Sequence, residues 1–237
     1  MSSGSRDDET TRALGHLRVL DLAGLEGQYA GKLFADLGAD VIKIEPPGGD
    51  STRAMAPFAG DVPDAETSLV FLNYNSNKRS AIVDLDTETG QETLKRLAST
   101  ADVLIESNRP GYLDGLGLGY GDLSMMNPAI VFVSVTPFGQ AGPYSGFEGS
   151  ELVAQAMGGV MYIQGDDNKP PCMMPCDQAS QLASMHAAYG ALTALRERQA
   201  TGTGQHVDVS MQDVIAHLLF TVPTYAMTRE IIRRTGA

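Results

Sequence analysis

Asp177 stands where a loop, Pro170 to Cys176 (PPCMMPC), gives way to a helical pattern. A carboxylate there has two chemical uses. It can cap the helix by accepting backbone N–H bonds. Kept ionised by the positive end of the helix, it can also attack an electrophilic carbon. Capping is the commoner role, so the residue pattern alone favours a cap. Arg109 sits in Glu106-Ser107-Asn108-Arg109-Pro110-Gly111, a polar turn after a strand, where open α/β sheets hold ligands. Lys78 and Arg79 are adjacent cations that read as a solvated turn or, more weakly, as an anion contact. Cys172 and Cys176 are spaced C-x-x-x-C with no His or Cys partner nearby, which predicts two reduced structural thiols and no metal site.

Periodicity supplies the elements that must carry these groups. Leu182, Met185, Tyr189, Leu192 and Leu195 recur at three- and four-residue steps, with alanines and Gly190 between them. That predicts a long helix after Asp177, closed by Arg196, Arg198 and Gly202. Leu17–Leu22, a helix over Tyr29–Leu37 and Val41–Glu45 form a βαβ unit, which implies a parallel sheet with a right-handed crossover. The intervening turn has glycines at 24, 27 and 31, which is not G-x-G-x-x-G, although Glu45 falls where a dinucleotide-binding fold places its ribose acid. Nicotinamide binding, another phosphate ligand and simple close backbone approach all stay open there. A polar loop reaches about Ser68, and Leu69–Tyr74 and Ala81–Leu85 read as apolar strands around Lys78-Arg79. Further strands are expected at Val103–Glu106, Ile130–Val135 and Gln205–Ser210, with helices at Thr89–Ser99, Glu151–Met157, Val214–Phe220 and Tyr225–Ile232. Gly111–Gly121 reads as loop. The expectation is an α/β, Rossmann-like, mostly parallel sheet with helices on both faces. Residues 1–14 form a tail, 15–213 one large domain and 214–237 a helical segment leading out of it.

Composition narrows the function. The 237 residues are 43% hydrophobic, enough for a sizeable core, and the formal net charge is −12. That balance argues against a nucleic-acid surface. No apolar run approaches the roughly 18 residues of a membrane span, and the first residues lack a secretory h-region. A cytoplasmic protein is expected.

By its ordered motifs the chain resembles the family III CoA-transferases (CaiB/BaiF), the group that includes formyl-CoA:oxalate and carnitine CoA-transferases and alpha-methylacyl-CoA racemase. The matching pieces are LRVLDL, LFADLGADVIKIEPPGGDSTR, NSNKRSAIVDLD, ADVLIESNRPG, LGLGYGDL, NPAIVFVSVTPFGQAGPY and TGTGQHVDVSMQDV, spanning Leu17 to about Asp213. The resemblance implies CoA transfer from an acyl-CoA donor to a carboxylic acid, through an aspartyl anhydride and an aspartyl-CoA thioester. It places the nucleophile at Asp177 and so reverses the preference for a cap. It implies no prosthetic group, with coenzyme A arriving as the acyl-CoA substrate. CoA contacts carry over to Leu25, Glu26, Gly27 and Gln28 in the first turn, to Val83 through Asp86, and to Ser107, Asn108 and Arg109. Here the family's Asn-Phe pair is Ser107-Asn108, a common arginine falls on Gly115, and another on Pro46 or Pro47. Arg53, Lys78 and Arg79 remain as phosphate contacts or surface charges.

The racemase branch needs two acid/base groups and carries a His where this chain has Ser150. None of His16, His186, His206 and His217 falls in that segment; His186 reads as a partly buried helix residue and His206 as a strand side chain. Transfer is therefore favoured over racemisation. A non-catalytic or CoA-binding subunit of a heteromeric transferase is the alternative from another class, and a nicotinamide oxidoreductase stands third. Members of the family are usually longer, with a second small domain, so the resemblance also implies a homo-oligomer or a hetero-oligomer with a second subunit.

Overall fold

The computed structural model describes residues 12–219, 227–229 and 234. The chain runs β1 (Arg18–Asp21), α1 (Gln28–Asp36), β2 (Asp40–Glu45), α2 (Leu69–Asn75), β3 (Arg79–Ile82), α3 (Glu88–Ala98), β4 (Val103–Glu106), α4 (Tyr112–Gly115), α5 (Tyr120–Met126) and β5 (Val131–Thr136). It continues through α6 (Glu151–Met157), α7 (Val160–Ile163), α8 (Gln178–Thr201), β6 (His206–Ser210) and α9 (Met211–Leu218). The six strands form one parallel sheet in the order β3-β2-β1-β4-β5-β6. The order reverses between β1 and β4, and that switch point opens a crevice at the carboxyl ends of the strands.

Alternation along the strands sorts the core into two layers. Val19, Val103, Ile105, Val131, Val133 and Val135 point to the layer of α1 and α8. Leu20, Leu104 and Phe132 point the other way, to Leu94, Leu113, Leu118 and Leu123 of α3 to α5 and their connections. The sheet is thus covered by helices on both faces, as a parallel sheet requires.

Several local expectations give way to tertiary contacts. Leu69–Asn75 is a helix, not a strand, because Ser68 Oγ accepts from Phe71 N and starts a turn. β3 starts two residues earlier than the Ala81–Leu85 run, since Arg79–Ile82 pair with Ile42–Glu45. Gly111–Gly121 holds α4 and the start of α5. In α8 Leu195 is buried and Leu182 packs on the core, but the rest of the buried face is made of small side chains. Ala179, Ala183, Ala187, Ala188, Ala191 and Ala194 are buried, whereas Met185 and Tyr189 are 50% and 72% exposed. Small side chains let α8 approach α1, β5 and β6, and a Cβ on Gly190 would lie 2.7 Å from Val207 Cγ1. Leu14 packs on the core with its N–H donated to Leu37 O at 3.0 Å. The expected tail up to residue 11 and most of the expected Tyr225–Ile232 helix lie outside the described residues.

The TGTGQ turn is set by one close approach. A Cβ on Gly204 would lie 1.9 Å from the Ile130 carbonyl oxygen, while Gly204 N donates to Pro128 O at 2.8 Å. Gly204→Ala is expected to cost about 3 kcal/mol by overpacking backbone that cannot yield. A denaturation midpoint equal to wild type would refute this account of the turn.

Candidate active site

α8 precedes a parallel strand, so its N-terminus lies at the carboxyl edge of the sheet, beside the turn that follows β1. Ser184 Oγ fastens the two by donating to Glu26 O at 3.0 Å. Asp177 is the residue before the helix, in the left-handed region with φ 49° and ψ 47°, a conformation Asp tolerates better than most side chains. Its side chain makes no capping hydrogen bond. The cap comes from Glu151 instead: Oε1 accepts from Ala179 N at 2.6 Å, and Oε2 accepts from Ser180 N at 3.0 Å and Ser180 Oγ at 2.9 Å. Glu151 has therefore taken the structural role that sequence physics gave to Asp177, and leaves the Asp177 carboxylate for other use.

Burial, followed by the charge of Glu151, raises the Asp177 carboxyl above its ordinary value. Glu26 is also raised, chiefly by burial and further by Asp50, Glu151 and Asp177. Tyr74 is raised by burial and by the Asp177 charge, which places its phenol within the field of the same carboxylate. A carboxylate raised above its ordinary value and free of a cap can serve as a nucleophile or as a base.

The expected ligand residues divide into two groups. Glu26, Ser107, Asn108 and Arg109 line one cavity of about 330 Å³ at the switch point, with the start of the loop after β5. Val83, Asp86 and Asn108 line an adjoining cleft of about 170 Å³ together with Pro46 and Pro47. Asn108 belongs to both, so the two form one path across the β1/β4 crevice. Ser107 Oγ accepts from Gly24 N at 2.8 Å and ties the first turn to the fourth strand. Leu25 is partly buried in that turn, and Gly27 packs against Ala23, where its Cβ would meet Ala23 Cβ at 2.7 Å.

The remaining expected contacts are engaged in the scaffold. Gln28 is fully buried, donates to Asp50 Oδ1 at 2.8 Å and accepts from Asn75 at 2.9 Å. Arg53 pairs with Glu45 at 2.6 and 2.9 Å and with Glu66 at 2.8 Å, and lies over the Phe71 ring. Burial opposes ionisation of Glu45, yet bonds from Arg53, Ser80 and the Asp50 N–H bring its pKa down to about 2. With these partners Glu45 is not placed as a free ribose acid. The Lys78 side chain is 1% exposed and paired with Asp21 at 2.6 Å, so it is no surface charge. Arg79 opens β3 at the opposite edge of the sheet and pairs with Asp40. Ser150 caps α6 by accepting from Val153 N at 3.4 Å. His206 bonds Ser134 Oγ at 2.9 Å, and the rings of His186 and His217 contact each other. No group of three or more His, Cys, Asp or Glu among the described residues could hold a metal. No helix of the described residues is long and apolar enough to cross a membrane.

A family model described as CoA-transferase family III matches residues 14–237. The succinyl-CoA:(R)-benzylsuccinate CoA-transferase subunit BbsE of Thauera aromatica is 47% identical over 193 residues, 81% of this chain and 47% of that protein. The succinyl-CoA–D-citramalate CoA-transferase of Chloroflexus aurantiacus is 40% identical over 230 residues, 95% of this chain and 56% of that one. A crystal structure of a CaiB/BaiF family protein from Brucella suis superposes with a TM-score of 0.87 at 34% identity, covering 93% of this chain and 59% of that one. This chain spans about half the length of the curated relatives it matches. On its sequence, its parallel sheet and its match from residue 14 to the end, the chain belongs to CoA-transferase family III.

Proposed function

We propose that this chain transfers CoA between carboxylic acids and that Asp177 is the covalent nucleophile. The observation that carries this reading is the division of labour at the head of α8: Glu151 caps the helix, and Asp177 remains uncapped at the carboxyl edge. An Asp177 oxygen attacks the thioester carbonyl carbon of the donor, the C–S bond breaks, and a mixed anhydride and CoA thiolate result. The thiolate then attacks the aspartyl carbonyl, expelling the donor acid as its carboxylate and leaving an aspartyl-CoA thioester. The acceptor carboxylate attacks that thioester, and the released thiolate finally takes the acceptor's acyl carbon, regenerating Asp177. CoA lies along the path from the Val83–Asp86 cleft past Asn108 to Glu26. Several relatives are named for dicarboxylic acids, which makes such acids the first donors and acceptors to test. The test is intact mass after incubation with a panel of acyl-CoA thioesters, alone and with any co-encoded partner, followed by hydroxylamine trapping at Asp177. Absence of any adduct across the panel overturns the nucleophile assignment.

A partner chain is part of the proposal. Met185 and Tyr189 stand exposed beside β6, the edge strand, along an open groove of about 730 Å³ with Val207 and Val214. One relative is itself named a subunit. Cytoplasmic placement follows the same reading. A monodisperse monomer in sedimentation, active by itself, would remove the partner from it.

The charge of Glu151 sets a pH dependence. Asp177 must be ionised to attack, so adduct formation fails as pH falls through its pKa. Glu151→Gln removes the second of the two causes that raise that pKa while keeping an acceptor for the α8 cap. The acid limb of the adduct-formation profile is expected to move to lower pH. An unmoved limb would show that Glu151 does not act on Asp177 electrostatically.

A further inference from the structure

The amino edge of the sheet, opposite the edge that carries Asp177, holds an open cavity of about 730 Å³ that CoA transfer does not use. Arg12, His16, Arg18 and Arg79 line it, in a chain whose formal net charge is −12. The sheet itself spaces two of these cations. β3, β2 and β1 lie side by side, and their first residues at this edge are Arg79, Asp40 and Arg18. Asp40 orients both arginines: its Oδ2 accepts from Arg18 Nε at 3.0 Å and its Oδ1 from Arg79 Nε at 2.9 Å. Asp102, the other carboxylate in the wall, is engaged in the same way. Its Oδ2 accepts from Arg18 N at 2.8 Å and its Oδ1 from Arg198 Nη2 at 2.9 Å. Arg12 is brought in by a turn fastened at Leu14, whose N–H goes to Leu37 O, and closed by Gly15 N donating to Arg12 O at 3.2 Å. The arginine stem crosses Gly38, where φ is 97° and a Cβ would lie 2.5 Å from Arg12 Cβ, so only glycine leaves it that path. Among the described residues Arg12 makes no ion pair, and Arg18 bonds a carboxylate through Nε alone.

The charges name the kind of ligand. Arg12, Arg18, Arg79 and Arg198 face only Asp40 and Asp102 here, and both oxygens of each carboxylate are already taken. Two positive charges are left over, which a dianion matches. Guanidinium forks pair their N–H groups with phosphate oxygens in twos, and the terminal nitrogens of Arg18 have no other partner among the described residues. His16, exposed on the same turn, adds a ring nitrogen that can donate. The volume lies within the roughly 300–1,000 Å³ of small-molecule sites, room for a phosphoryl group and the organic group it is esterified to. We propose that this cavity binds a phosphate monoester, with its dianionic phosphoryl group held by Arg12, Arg18 and Arg79. The site lies at the other edge of the sheet from Asp177, so it stands or falls independently of the CoA-transfer reading.

Calorimetric titration of the full chain at low ionic strength, with inorganic phosphate and with ribose 5-phosphate, tests it. Both are expected to bind, the sugar phosphate more tightly because the cavity has room beyond the phosphoryl group. Arg12→Met and Arg79→Met are each expected to weaken both ligands by about tenfold, the scale of one charge-assisted hydrogen bond. Both side chains are exposed, so the fold and adduct formation at Asp177 are expected to be unchanged in either variant. Added salt is expected to weaken binding in the wild type, since exposed charges are screened. No binding by the wild type, or binding within twofold of it by both variants, overturns the site. Equal affinity for the two ligands assigns the cavity to free phosphate and overturns the ester. Loss of phosphate binding when a partner chain is added makes this edge a subunit interface and overturns the site as well. Failure of adduct formation at Asp177 with phosphate binding intact removes the transfer reading and leaves this site standing.

Discussion

Replacing Asp177 by Asn is expected to abolish the covalent adduct and lower CoA transfer by at least about 10⁴-fold, the scale on which removal of a covalent nucleophile falls. The fold is expected to survive, because the site separates chemistry from structure. Glu151, not Asp177, satisfies the first N–H groups of α8, so no cap is lost with the carboxylate. Asn also tolerates the left-handed conformation at φ 49°, where Ala would add strain of its own. The stability change should stay within about 0.5 kcal/mol, as for substitutions that remove no structural contact. An ordinary capping aspartate would behave in the opposite way, losing about 0.5–2 kcal/mol of stability on replacement by Ala and no activity. Asn caps a helix about as well as Asp, so on Asp177→Asn it is the adduct mass that decides between the two roles, with the denaturation midpoint as the check on folding. A hydroxylamine-sensitive adduct that survives in Asp177→Asn would move the nucleophile elsewhere, with Glu26 the next carboxyl to examine.

The position of Asp177 was legible because it depends on local signals, a loop, a helical period and a glycine stop. Its freedom from capping was not. Glu151 reaches Ala179 of α8 across 28 residues of sequence, and no spacing rule links a carboxylate in one helix to the N-terminus of another. The βαβ units and all six strands were legible from apolar runs bounded by turns, β3 with its start displaced by two residues. Leu69–Asn75 failed because a short apolar run is ambiguous between strand and helix; the Ser68 cap was the available signal. The helix α8 itself was legible, but the face it buries was not, for a different reason. Periodicity marks which residues share a side of a helix, but contact distance decided which side went inward, and the alanines fit against α1 and β5 where Tyr189 could not.

Lys78 shows how a residue that sequence reads as a solvated charge can be a structural centre, and it carries the largest stability effect expected here. Its ammonium donates to Asp21 Oδ2 at 2.6 Å, to the Gln28 carbonyl at 2.8 Å and to Asn75 Oδ1 at 2.8 Å. Burial lowers its pKa and the Asp21 charge opposes that shift. Asp21 is fully buried, and its other cation, Lys43, is 3.9 Å away, itself closer to Asp50 at 3.0 Å. Lys78→Met would leave the Asp21 carboxylate short of its nearest counter-charge and two oxygens without a donor. Relaxation has little room, because α1 packs so tightly here that a Cβ on Gly31 would lie 2.2 Å from Asp21 Oδ2. The expected loss is about 3–5 kcal/mol, the cost of stranding one partner of a buried pair, or roughly 10 °C in Tm for a domain of this size. Arg79→Met next door is the control: that side chain is 65% exposed, so its pair with Asp40 should be worth under about 1 kcal/mol. Adding Asp21→Asn to Lys78→Met should recover part of the loss, since the stranded charge disappears. The same network carries the turn with Glu26, so in the single mutant the cavity lined by Glu26 should loosen before the protein unfolds, with CoA affinity falling at temperatures where the fold persists. A Lys78→Met protein within 1 kcal/mol of wild type would mean that Lys43 alone neutralises Asp21, and the turn would then owe its position to the Gly24–Ser107 bond.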